Sequence, residues 1–328
     1  MKNISYIVKI LVSLFFYFYY YFKIALFDKE IKISKHIFIN QNFSFGHQLI
    51  AYLALSNFEE KQSKNDIVVF EFFLSERNNL FLNKFFHNLT FKKILKSNHS
   101  FLINLASTVF LNVIKKKYGN KVISYEKLVE ITKSKFLKKE DFFAILYDYK
   151  SKKYKKYGNF YWVDKLLQKL QLKKLKKKKE FKFIFERIKS KYKIKNKVAS
   201  IIFRNIYGDE EYDQIRDFDL KKYENAIRWL VKKNYKVINH NKKYDQFFSK
   251  IPGTINLSQI KLKNFESNFL NLIILMYSTL TITQHSGIHI FPALFENKVI
   301  ICDGFPFCHG ATGKNSFILN KNLFYKDK

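Results

Sequence analysis

The chain has 328 residues, 47% of them hydrophobic, enough for one large or two ordinary domains with real cores, and its 9 Gly and 3 Pro exclude a fibrous or loop-rich protein. The formal net charge of +33 is nearly all lysine, with arginine at Arg77, Arg187, Arg204, Arg216 and Arg228. Nucleic-acid readers favour arginine for bidentate contacts, so a diffuse lysine excess points instead to an anionic membrane surface or anionic substrates. Phe, Tyr, Ile, Asn and Lys all have A/T-rich codons, so part of this pattern reflects genome composition.

Ile4 to Phe27 is apolar and aromatic, interrupted by Lys9, Ser13 and Lys23. The run between the two lysines is short for a bilayer span, although snorkelling lysines would let the whole segment reach across. Tyr17, Tyr19, Tyr20 and Tyr21 suit a headgroup layer. No small-residue cleavage site follows, which argues against a signal peptide. The pattern predicts a membrane-associating helix over residues 1–30, interfacial or marginally spanning. The alternative is a buried amphipathic helix. Lys29, Lys32 and Lys35 favour a cytoplasmic main body if the segment spans.

Residues 31–165 form the expected first domain. A strand over Ile37–Ile39 runs into a Gly-containing turn with Gly46 and His47, then a helix through Leu55. Ile67–Phe73 has the apolar run of a buried strand, residues 79–96 suggest a helix and a short strand, and Phe142–Tyr147 is another strand candidate. Periodicity between 75 and 160 is otherwise blurred, because Phe and Tyr recur throughout. Residues 166–197 form a basic helical connector: leucines fall among a lysine run, Lys173 to Lys179. Such a run is a solvated linker or a second membrane-surface contact.

From residue 198 to 328 the pattern is regular. Strands are expected at Val198–Phe203, Tyr235–Ile238, Leu280–Thr283 and Val299–Ile301. Helices are expected at Leu220–Lys233, with Tyr223, Ala226, Ile227 and Leu230 inward, and at Phe269–Tyr277. This alternation predicts a parallel sheet with helices on both faces, whose ligands bind at the carboxyl ends of the strands. Those ends are Arg204 onward, Asn239-His240, His285-Ser286-Gly287 and Asp303-Gly304. Ser286 is placed as an N-cap and Gly287 allows close backbone approach, so a helix start there could hold a phosphate; an ordinary βαβ turn is the alternative. Ile288, Phe291, Leu294 and Phe295 would form its inward face. Cys302 and Cys308 form no disulfide framework, and with His285 and His309 they match no zinc-ligand spacing. No metal site is expected.

Several segments resemble a family of bacterial glycosyltransferases found with surface-polysaccharide genes. They are Phe203-Arg204-Asn205, Asp209 to Asp219 with Arg216, Tyr223 to Ile227, Asn234 to Ile238, His285-Ser286-Gly287 and Ala293 to Val299. Lys298 stands where that family commonly has proline, and Asn239-His240 where it often has an arginine. The likeness is strong over residues 198–306 and weaker at the Phe45-Gly46-His47 turn.

The resemblance implies an α/β protein of the GT-B class: two Rossmann-like domains facing across a cleft, here with an N-terminal membrane-associating helix. It implies transfer of a sugar from a nucleotide-sugar donor to a surface-glycan or lipid-linked acceptor, without metal or cofactor, at the cytoplasmic face of a bacterial inner membrane. Donor contacts would come from Arg204, Arg216, His285, Ser286, Gly287 and Asp303. The base would be His47, with Asp209 second, and Gly46 and His47 would form the acceptor-side turn. Each has a structural alternative; for Arg204 it is an ion pair with Asp219 or Glu224. The competing function is a basic α/β protein that binds membrane or nucleic acid without catalysis. Arg204 and Arg216 on strand-end loops, rather than along one surface, argue against nucleic acid as a partner.

Overall fold

The computed structural model describes residues 2–41, 45–58, 63, 66–74, 78–86, 88–136, 144–148, 153–157, 178–195, 197–203, 220–284, 287–304 and 315–320. The chain divides into two compact units, Met1–Lys135 and Phe136–Lys328.

The first unit is built on a parallel sheet. Its strands are β1 (His36–Gln41), β2 (Ile67–Leu74), β3 (Thr90–Ser97) and β4 (Val122–Ile123), in the order β3-β2-β1-β4. β2 reads IVVFEFFL, the nearly continuous apolar run expected of a strand buried on both faces. Its helices are α1 (Lys2–Leu26), α2 (Asp28–Ile33), α3 (Phe45–Ser56), α4 (Ser100–Tyr118) and α5 (Tyr125–Phe136). The expected helix within residues 79–96 is a 3-10 turn, Asn78–Phe85, ahead of β3. α4 lies in the stretch whose periodicity is blurred in sequence. It buries Ile103, Ala106, Phe110, Val113 and Ile114, a stripe at three- and four-residue spacing.

α1 is part of this core. Tyr20 and Ile24 are buried in one cluster with Ile37, Val68, Phe70, Phe72 and Phe110. The Tyr20 ring meets Phe110 edge-on at 5.1 Å and Phe72 at 6.2 Å. Just beyond α1, the Asp28 carboxylate receives Lys32 at 2.6 Å, Lys117 at 2.9 Å and the Tyr118 hydroxyl. These partners hold its carboxyl well below the usual carboxylate range. Lys121 Nζ donates to the carbonyls of Ile31, Lys32 and Ser34 at 3.0, 2.9 and 2.8 Å, closing the end of α2. The marginal span is therefore corrected: the inward side of α1 packs on the protein, and among the described residues no helix is long and apolar enough to cross a membrane.

The second unit carries a six-stranded parallel sheet and a separate antiparallel pair. The pair is β5 (Ala144–Asp148) and β6 (Lys153–Tyr157), so the strand expected near 142–147 exists but does not join the parallel sheet. The sheet contains β7 (Lys197–Ile202), β8 (Tyr235–Asn239), β9 (Thr254–Asn256), β10 (Leu280–Gln284), β11 (Lys298–Gly304) and β12 (Ser316–Asn320). The order is β12-β11-β10-β7-β8-β9, and every pairing is parallel. Counted from β9 across the sheet, the strands follow the doubly wound sequence third, second, first, fourth, fifth, sixth. The helices are α6 (Lys179–Lys191), α7 (Glu224–Lys232), α8 (Asp245–Ser249), α9 (Ser267–Tyr277) and α10 (Ile290–Ala293).

α6 falls in the basic connector and is more than a solvated linker. It buries Phe181, Ile184, Phe185 and Ile188, and Phe185 stacks on Tyr277 of α9 at 4.8 Å. α7 turns Ile227 and Leu230 inward as expected, but Ala226 is exposed and Tyr223 only half-buried. Tyr223 belongs to a 3-10 turn, Leu220–Tyr223, ahead of α7, and its ring lies 5.1 Å from that of Phe203. Asn234, at φ 63°, ends that element in the left-handed region. Gly253, at φ 90°, turns into β9, and a Cβ there would lie 2.5 Å from Val231 Cγ1.

The Tyr20 hydroxyl is buried with no hydrogen-bond partner among the described residues, so its ring rather than its oxygen stabilises the unit. Tyr20→Ala should cost about 3 kcal/mol, whereas Tyr20→Phe should be neutral or stabilising. Hydrogen exchange of the β1 and β2 amides in urea checks this, since both tryptophans, Trp162 and Trp229, lie in the second unit.

Candidate functional site

In a doubly wound sheet the strand order reverses at one place, and the two strands there send their connections to opposite faces. In the second unit that place lies between β7 and β10, paired in register from Leu280↔Ala199 to Thr283↔Ile202. β7 leads into buried Phe203 and then Arg204; β10 ends in buried Gln284 and leads through His285 and Ser286 to Gly287. The segments singled out in sequence thus leave from the two strands of one switch point. Asp303 lies in the last turns of β11, one strand further out.

The peptide that launches Arg204 is fixed. Asn241 Nδ2 donates to the Phe203 carbonyl at 3.0 Å. Asn239 Nδ2 in turn reaches Asn241 O, Asp245 Oδ1 and Asn256 Oδ1 at 3.0, 2.9 and 3.0 Å. His240 sits deeper. Its ring nitrogens lie 2.6 Å from Asn271 Oδ1 and 2.8 Å from Ser200 Oγ, and Ser200 Oγ lies 2.6 Å from Ser278 Oγ. Burial of the ring pushes the imidazole down to about 4, so it is neutral at pH 7. Asn271 Oδ1 can only accept, so Nδ1 carries the proton and Nε2 accepts from Ser200. His240 therefore joins β7 to α9 through Ser200 and Asn271.

The helix after Gly287 is shorter than its apolar period suggests. It consists of a 3-10 turn, Gly287–His289, and four residues of α10 containing Pro292. Its peptide dipoles sum over only about two turns, so a helix-end field contributes less here than the expected N-cap implied. Arg204, Asp209, Arg216, His285, Ser286 and Cys308 lie outside the described residues. Glu224, one proposed ion-pair partner for Arg204, bonds Arg228 one turn on at 2.7 Å. Cys302 is a buried strand residue. Among the described residues no three His, Cys, Asp or Glu side chains group as metal ligands.

In the first unit the order reverses between β1 and β4. β1 ends at Gln41, and Gly46 and His47, expected in a turn, lie in the first turn of α3, the helix that follows β1 from that switch point. Beneath it lies a polar cluster that the sequence reading missed. Asn40, near the end of β1, and Glu71, mid-way along β2, are register partners. Tyr52 Oη donates to Glu71 Oε1 at 2.6 Å and accepts from Gln48 Nε2 at 2.6 Å; Asn83 Nδ2 donates to Glu71 Oε2 at 3.1 Å. Asn40, Gln48 and Glu71 are fully buried. Asn40 Oδ1 and Gln48 Oε1 have no donor partner among the described residues. The signal was present: Glu71 is the one charged residue within the apolar run of β2.

Burial pushes the Glu71 carboxyl up to about 7 against its ordinary 4.5, while the bonds from Tyr52 and Asn83 pull it back. A raised carboxyl favours the protonated folded state. Its stabilisation is full below the ordinary value of 4.5 and is lost as pH rises through about 7. The first unit should therefore lose about 3 kcal/mol between mildly acidic and mildly basic pH. Glu71→Gln, which keeps the shape and one acceptor oxygen but cannot ionise, should flatten that dependence in hydrogen exchange of the β2 amides.

No family model and no curated protein matches the chain. Among solved structures it is similar to E. coli ADP-heptose lps heptosyltransferase II, with a TM-score of 0.48, 9% identity and coverage of 87% of this chain and 90% of that one. It is also similar to the glycosyl transferase family 9 protein of Veillonella parvula, with a TM-score of 0.49, 10% identity and coverage of 89% and 88%. An E. coli heptosyltransferase solved with ADP-2-deoxy-2-fluoro heptose gives a TM-score of 0.43 and 10% identity over 87% and 92% of the two chains.

Proposed function

We propose that this chain is a metal-independent glycosyltransferase that moves a sugar from a nucleotide-sugar donor to a surface-glycan or lipid-linked acceptor. One observation carries this: the doubly wound order of the second sheet, whose switch point sends out both the Arg204 segment and the Gln284–Gly287 turn. Sheets of this order take ligands at that place. The residues concerned are those that resemble the surface-polysaccharide glycosyltransferases.

The chemistry asks for charge compensation as the bond from sugar to diphosphate breaks. We assign Arg204 and Arg216 to the leaving diphosphate, and the Gly287 amide with Ser286 and His285 to its oxygens. Because the helix after Gly287 is short, the arginines supply most of the compensation. Asp303, at the end of β11, is assigned to the donor. His47 takes the acceptor hydroxyl proton, with Asp209 as the second candidate. We assign the enzyme itself to the cytoplasmic face of a bacterial inner membrane.

Calorimetric titration of the full chain with nucleoside diphosphates and nucleotide-sugars, without metal, tests the assignment. The full chain is needed because α1 contributes Tyr20 and Ile24 to the core. One nucleoside diphosphate should bind selectively, and Arg204→Ala should weaken it roughly tenfold to a hundredfold, the loss of one charge-assisted contact. Unchanged affinity in that variant, or salt-sensitive binding to nucleic acid with no nucleotide binding, would contradict it.

A further inference from the structure

α1 is apolar around its whole circumference, and the protein uses half of it. Tyr20 and Ile24 face the core, with Phe16 and Tyr17 packed beside them. On the opposite side Leu11, Phe15, Phe18, Phe22 and Leu26 recur at four- or three-residue intervals and share one stripe. Phe15, Phe18 and Phe22 are 66%, 60% and 71% exposed. A helix apolar on all sides is normally covered on all sides. A continuous outer stripe of aromatic and aliphatic side chains marks a contact with an apolar partner.

Three features choose the partner. Tyr19 and Tyr21, both exposed, lie one residue either side of Tyr20 and so flank the stripe on its two edges. Phenolic rings there would sit at headgroup depth with their hydroxyls in water. At the end of α1 the surface is basic: Lys29, Lys115 and Lys116 are exposed around the Asp28 clamp, which ties the end of α4 to α2. The chain as a whole carries +33. A second copy of so cationic a chain would bring like charges together at this rim, whereas an anionic bilayer would meet it with opposite charge. The buried inner side fixes the mode, because a helix holding Tyr20 in a domain core cannot leave it to cross a bilayer.

We propose that the outer face of α1 docks flat on an anionic lipid bilayer, with its phenylalanines in the acyl boundary, its tyrosines at the headgroups and the neighbouring lysines on anionic lipid. The first unit is thereby held at the surface as a monotopic body. This inference is independent of the nucleotide assignment, since no residue of the stripe belongs to a switch point.

The test is flotation of the full chain with vesicles of phosphatidylcholine and phosphatidylglycerol in equal parts, against pure phosphatidylcholine. Wild type should float with the anionic vesicles, less with the neutral ones, and less at high salt. Phe15→Ser, Phe18→Ser and Phe22→Ser should each lower partitioning roughly tenfold. The unfolding midpoint should stay unchanged, because all three side chains face outward. Lys115→Glu with Lys116→Glu, which leaves the stripe intact, should lower binding to anionic vesicles and not to neutral ones. Equal flotation of wild type and the serine variants would overturn the proposal. So would a wild-type dimer in sedimentation velocity that the serine variants convert to monomer while neither floats, since the face would then belong to a second copy.

Discussion

A parallel sheet exists in water only when both of its faces are covered, and the rest of this structure follows from that constraint. The strands cannot be joined by hairpins, so every connection crosses a face and must bring an apolar segment with it. In the first unit that demand draws in α4 and the C-terminal half of α1, whose Tyr20 and Ile24 join a cluster with residues of β1 and β2. In the second, α9 buries eight of its eleven residues, Phe269 through Met276. α1 is thus structural on one side and free to serve as a contact surface on the other.

Covering both faces leaves the strand ends as the place where polar groups can meet a ligand. Polar groups cluster there in both units. Glu71, Tyr52, Gln48 and Asn40 lie under the turn carrying Gly46 and His47. His240, Ser200, Ser278 and Asn271 lie beside β7 and β10, and Asn241 fixes the carbonyl that precedes Arg204. These groups are buried, or half-buried in the case of His240, and bonded within each cluster. They brace the strand ends of the two sheets.

Much of the second sheet was legible in the sequence, because its strands are short apolar runs separated by amphipathic helices. β9 and β12 were not: β9 has three residues, and β12 alternates Phe317 and Leu319 outward, so neither shows a buried run. The first unit was less legible, since a chain with 37 Phe and 21 Tyr places an aromatic residue on nearly every helical and strand face. α4 escaped notice for that reason, although its buried stripe is regular. The dual character of α1 was open to neither simple alternative, because two apolar faces give the same hydropathy whether one or both are covered. At the site, strand-end positions of Arg204, Ser286 and Gly287 followed from pattern. The bonds of His240 and the cluster around Glu71 did not, since the partners of a polar side chain are often distant in sequence.

The central claim is that the donor is bound where β7 and β10 part. Hydrogen exchange of the full chain with and without the nucleoside diphosphate it binds tests this most directly. Protection confined to residues following Phe203 and to the Gln284–Ile290 turn, with the β5–β6 pair and β12 unchanged, is the predicted result. Protection elsewhere in the second unit, with those two segments exchanging as before, would contradict it.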